Sequence, residues 1–131
     1  MTNLNALDAN TEPLPAGTYA AEVVKTELTP VGYESREYLE ITFEIIEGPY
    51  AGRRLSRLFD PVSPHRLARS VYRAEIIKIC QAVDAPAPQN WADPSSYIAL
   101  HNVPLVITVS CEIYPDAGIT MNRVIAYAKK D

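Results

Sequence analysis

The 131-residue sequence predicts a mainly β domain of five strands with one helix between the third and the fourth. Three observations carry that expectation. Residues 38–45 alternate strictly, Leu39, Ile41, Phe43 and Ile45 interleaving with Tyr38, Glu40, Thr42 and Glu44, which is the period of a strand with one buried face. Glycine-bearing turns at 48–52 and 115–118 each separate two strand-like runs, the pattern of hairpins. Between the two hairpins the apolar residues change to helical spacing, with Tyr72, Ile76, Ile79, Cys80 and Val83 on one stripe.

The elements follow in order. Residues 1–14 are polar and unpatterned, so they read as a flexible tail, and residues 15–131 as a single domain. Pro15-Ala16-Gly17 is a turn signal. Strand one covers 18–28, with Tyr19, Ala21 and Val23 on one face and Glu22 on the other. Strand three, 53–59, carries Leu55, Leu58 and Phe59 at irregular spacing, which suggests a bulge. Ser63 is placed to cap a helix that has Pro64 at its first position and runs to Val83. A Pro-rich loop, 84–94, holds Trp91, expected to pin that loop to the core, and 95–100 reads as a short helical turn. Strand four, 104–114, places Leu105, Ile107, Val109, Cys111 and Ile113 inward; strand five, 119–127, places Ile119, Met121 and Ile125 inward. Tyr19 and Tyr127 read as core or barrel-closing residues. The order β-β-β-α-β-β is that of an OB-fold-like Greek-key barrel; a different barrel or an open α+β sheet shares it.

Composition narrows the function. No apolar run reaches the roughly 18 residues a membrane helix needs, and the N-terminus lacks the basic start and apolar core of a signal peptide. Cys80 and Cys111 do not make a disulfide framework and read as buried thiols. His65 and His101 stand alone, and no phosphate loop, dinucleotide fingerprint or metal-ligand spacing occurs. No catalytic residue, cofactor or metal is therefore expected. The net charge of −4 conceals a strong division. Residues 1–52 hold nine acids and two bases, whereas 53–78 hold seven bases against Asp60 and Glu75. A local field of this kind matters more for binding than the total.

Four stretches resemble one family. They are Pro15-Ala16-Gly17-Thr18-Tyr19, Tyr38-Leu39-Glu40-Ile41-Thr42-Phe43-Glu44, Glu47-Gly48-Pro49-Tyr50-Ala51-Gly52-Arg53 and Asn122-Arg123-Val124-Ile125-Ala126-Tyr127. Together they resemble the phage proteins grouped as domain-of-unknown-function family 669, over residues 13–127. The resemblance implies an OB-fold that binds single-stranded DNA in a phage replication or recombination module, serves a recombinase or helicase, and works in the cytoplasm of the bacterial host. It carries over no catalytic residues. Unlike bacterial single-strand-binding proteins, which end in an acidic tail, this chain ends Ala128-Lys129-Lys130-Asp131.

Single strands are held by a positive groove that follows phosphates and by rings that stack on bases. Arg53, Arg54 and Arg57 on strand three are the first candidates, and Tyr38 on the wet face of strand two is the first base platform. Tyr33 in the loop between strands one and two and Tyr50 at the hairpin tip are further candidates, each also readable as an anchor. Arg66, Arg69 and Arg73 share one helix face, with a solvated basic face as the plain alternative. Glu40 and Glu44 lie on the same wet face as Tyr38 and oppose phosphate binding there. Two functions follow from this pattern: a sequence-independent single-stranded-DNA-binding protein, or a module that docks a recombinase or helicase and touches DNA little. Strands four and five can pair within one chain or across a homo-oligomer.

Overall fold

In the computed structural model, residues 12–30 and 37–131 are described. Five strands form one antiparallel sheet: β1 (Gly17–Pro30), β2 (Glu37–Ile45), β3 (Arg54–Phe59), β4 (Leu105–Tyr114) and β5 (Ile119–Lys129). The helix α1 (Arg66–Ala82) lies between β3 and β4, followed by a 3-10 helix, Pro94–Leu100. The strand order is β3-β2-β1-β4-β5. The sheet is not closed: β3 and β5 are its two edges, and no ladder joins them.

Strand β2 organises the core. Leu39, Ile41, Phe43 and Ile45 are all fully buried, and each such side chain contributes about 1.5–3 kcal/mol relative to exposure. Their cross-strand partners continue the same face, Leu55 and Phe59 on β3 and Ala21, Val23 and Leu28 on β1. Strand β1 is long because it serves two neighbours. Its first residues, 17–21, pair with β4, and 21–30 pair with β2. The register shifts between Val23 and Lys25; an extra residue of this kind bends a strand and raises its twist, so one strand belongs to both halves of the sheet. Ile76, Ile79 and Cys80 of α1 and Val83 at its C-cap, with Tyr97 and Leu100 of the 3-10 helix, complete the core.

The β2–β3 turn depends on two glycines. Gly48 and Gly52 have φ of +80° and +94°, a region costly for residues with a Cβ. With those angles Gly52 N–H donates to Ile45 O at 2.8 Å and Ile45 N–H to Arg53 O at 2.9 Å.

Several expectations are corrected. The β2–β3 ladder is regular from Leu39↔Phe59 to Glu44↔Arg54, so strand three carries no bulge. The irregularities lie in β1 and between β4 and β5, where Thr108 pairs with Ala126 but Val109 pairs with Val124. That extra residue, Ile125, reverses the inside–outside order of β5. Val124 is buried, while Ile119, Met121 and Ile125 are about half exposed. Cys111 and Ile113 are exposed as well, because the β4–β5 hairpin extends past the core. Ser63 does not occupy the cap position. His65 does, and the buried Ser63 accepts its backbone N–H at 3.2 Å. Leu14, assigned above to the tail, is fully buried. Its N–H donates to Asn122 Oδ1 at 2.7 Å, and its carbonyl accepts from Asn122 Nδ2 at 2.8 Å.

Candidate nucleic-acid interface

The outer face of β1–β2–β3 carries the side chains that alternate away from the core. From β2 these are Tyr38, Glu40, Thr42 and Glu44; from β3, Arg54, Ser56 and Leu58; from β1, Glu22, Lys25 and Glu27. Thr42 and Ser56 hydroxyls hydrogen-bond at 2.9 Å. Arg54 Nε donates to Glu44 Oε1 at 2.9 Å, and Lys25 pairs with Glu27 at 3.1 Å. Four glutamates thus face two cations. Two ladder positions even set like charges opposite each other, Glu22 against Glu44 and Glu27 against Glu40. Such pairs destabilise a sheet, so this face is not arranged for stability alone.

The strand-three arginines do not form one groove. Arg54 lies on the outer face. Arg53 donates to the backbone carbonyl of Glu12, beside the Tyr19–Tyr50 edge-on ring pair at 6.0 Å. Arg57 has the inward parity of Leu55 and Phe59. It reaches Glu75 of α1 through two hydrogen bonds, Nε to Oε2 at 2.9 Å and Nη2 to Oε1 at 2.6 Å, and stands 5.3 Å from the Phe59 ring centre. Tyr127 of β5 donates to the same Glu75 Oε2 at 2.6 Å. This Arg57–Glu75–Tyr127 network ties β3, α1 and β5 together where the two sheet edges meet without a ladder.

Burial alone would raise the Glu75 pKa, but the hydrogen bonds from Arg57 and Tyr127 outweigh it and hold the carboxyl below its ordinary 4.5. Because the folded value is depressed, the stabilisation is present above the unfolded glutamate pKa and disappears as pH falls through the folded value. Thermal melts between pH 7 and pH 3 are expected to fall more steeply below pH 4.5 for the parent than for Glu75→Gln. Parallel curves for the two proteins are the contrary result. Burial, with the bond to Glu75, drives the Tyr127 hydroxyl upward, so it remains a donor throughout that range.

The helix arginines divide in the same way. Arg69 Nη1 donates to Ser63 O at 3.2 Å. Arg73 Nε donates to Pro61 O at 2.7 Å, and its guanidinium lies 5.0 Å over the half-buried Trp91 ring. Both fasten the loop before α1, and Arg73 also packs on Trp91, whose carbonyl accepts the Tyr97 hydroxyl at 2.5 Å. Arg66 is exposed at the start of the helix. Tyr38 is half-exposed on the outer face. Tyr33 falls outside the described residues.

A groove of about 300 Å³ runs along the open seam, lined by Ser56, Arg57 and Leu58 of β3 and by Glu112, Tyr114 and residues 121–124 of the β4–β5 hairpin. The sequence reading passed over Tyr114 and Arg123. Tyr114 is 44% exposed, with its hydroxyl donating to Glu112 Oε2 at 2.6 Å; Arg123 is also exposed, 4.0 Å from Glu112 Oε1. The parity of Tyr114 with Glu112, outward and wet, was the available signal. Among the described residues no His, Cys, Asp and Glu side chains group as metal ligands, and no helix is long and apolar enough to cross a membrane.

These features define a mainly β protein: a five-stranded antiparallel sheet left open between β3 and β5, with a helix inserted between β3 and β4. Residues 2–129 match the model of a family described as "Protein of unknown function (DUF669)". The chain belongs to that family. No curated protein matches it.

Proposed function

We propose that this protein is a non-catalytic, sequence-independent single-stranded-DNA-binding protein of OB-fold type, acting in phage DNA replication or recombination in the host cytoplasm. The observation that carries the reading is the strand order. An order of β3-β2-β1-β4-β5 whose edges lie side by side supports the reading of a five-stranded barrel opened at one seam, and in partly open barrels of the OB type the face of strands two and three takes oligonucleotides. On that face Tyr38 offers a ring and Arg54 a cation, and across the seam Tyr114 and Arg123 offer the same pair again. Glu44 and Glu112 occupy both cations, so phosphate must compete for them.

The test is fluorescence anisotropy with a labelled thirty-nucleotide oligo-dT at low and moderate salt, beside the matching duplex. The expected result is preference for the single strand, with affinity falling as salt rises. Arg54→Ala should weaken all sequences alike and lower the salt slope by about 1. Glu40→Gln with Glu44→Gln should strengthen binding, by about threefold per removed charge at low salt, because Arg54 is released and repulsion falls. Binding that ignores all three substitutions would place DNA elsewhere on the molecule. No binding at low salt would favour the second reading, a module docking a recombinase or helicase, which the four outward glutamates support.

A further inference from the structure

The flank of α1 next to β5 presents apolar surface that the fold does not use. Leu67 is 79% exposed, Val71 58% and Ile125 54%. Leu67 and Val71 are four residues apart, and Arg66, Ser70, Ala74 and Lys78 form the adjacent i, i+4 row. Between this flank and β5 lies a groove of about 540 Å³, lined by Val71, Ala74, Glu75, Lys78, Ile125, Ala126 and Tyr127. Ile125 reaches it because it is the extra residue of the β4–β5 irregularity. Strand β5 is a sheet edge whose ladder partner is β4, so the groove has a strand edge as one wall.

Apart from Glu75, whose carboxylate is committed within the fold, the charge around the groove is basic. Exposed Arg66 and Lys78 stand at the two ends of the row. The one carboxylate, Glu75, is already held by Arg57 and Tyr127. A second copy of the same flank would bring like charges together, which disfavours self-pairing. Nucleic acid is disfavoured by the lining, since bases stack on rings; here the exposed side chains are aliphatic, and Tyr127 is half-buried with its hydroxyl committed to Glu75. Aliphatic side chains edged by cations fit apolar anchors edged by carboxylates. We propose that the α1–β5 groove docks an acidic, amphipathic segment of a partner protein. Docking here leaves the outer face of β2–β3 open and does not depend on DNA binding.

The experiment uses the full chain and three fluorescein-labelled sixteen-residue peptides: one with Leu and Glu at helical spacing, the same with Lys for Glu, and the same with Ser for Leu. Anisotropy should show the Leu/Glu peptide binding at least tenfold tighter than either control. Val71→Ser with Leu67→Ser should weaken it tenfold or more, and Lys78→Glu should reduce or invert the preference for the acidic peptide. All three positions are surface-exposed, and unchanged melting temperatures check that the variants fold. Equal binding of the acidic and basic peptides, or indifference to the double serine variant, overturns the proposal. So does a dimer seen by light scattering and lost in that variant, or oligo-dT binding lost in it, since a second copy or nucleic acid then fills the groove.

Discussion

Replacing Glu75 by alanine is expected to cost the fold about 3 kcal/mol, the lower end of the range for removing one partner of a buried ion pair. The carboxylate accepts three hydrogen bonds from two other elements. Arg57 and Glu75 side chains are only about one-fifth exposed, so water replaces little of what is lost. The substitution leaves a guanidinium against the Phe59 ring without a counter-charge and Tyr127 without its acceptor. In a domain whose whole stability is on the order of 5–15 kcal/mol, that is a large fraction, and chemical denaturation should show it directly. Glu75→Gln retains one acceptor and should lose about half as much. The pair Arg57→Met with Glu75→Leu should recover most of the loss, because removing both charges removes the unpaired one. If Glu75→Ala unfolds at the same denaturant concentration as the parent, the seam between β3 and β5 is held by packing and the network is incidental.

Much of the fold was legible because one signal, alternation, is strong where a strand is covered along its full length. Strand β2 is such a case, with four inward residues fully buried. The same signal failed on β5, where a single extra residue inverts parity between Val124 and Ala126; periodicity read from one strand cannot reveal an irregularity set by the register with its neighbour. It failed again at Cys111 and Ile113, which alternate correctly on a hairpin that runs beyond the core. The candidate site was less legible than the fold. The inward parity of Arg57 with Leu55 and Phe59 was in the sequence. Its partner Glu75 was not, since the contact joins residues 18 apart on different elements and a third, Tyr127, 52 further on. Charge counts located a basic block but not its use: Arg57, Arg69 and Arg73 are occupied within the fold, while the face expected to meet phosphate is acidic.

Leu14→Ala is expected to destabilise the domain by about 3 kcal/mol, the usual loss for a buried leucine that leaves a cavity. A residue in a flexible tail would give nothing. Leu14 is fully buried although it precedes the first strand by three positions, and its backbone is clasped at both polar groups by the Asn122 amide. Asn122 Nδ2 also donates to Ser110 O at 3.2 Å, so one side chain joins the N-terminal segment to both strands of the β4–β5 hairpin. Asn122→Ala should cost about 1–2 kcal/mol, since it leaves buried backbone groups of Leu14 without partners. The double variant should lose less than the sum, because each change releases the same segment. Hydrogen exchange offers an independent check: the Leu14 amide should be protected in the parent and exchange freely in Asn122→Ala. A chain beginning at residue 17 should melt as low as Leu14→Ala or lower, placing the start of the folded domain at or before Leu14 rather than after it.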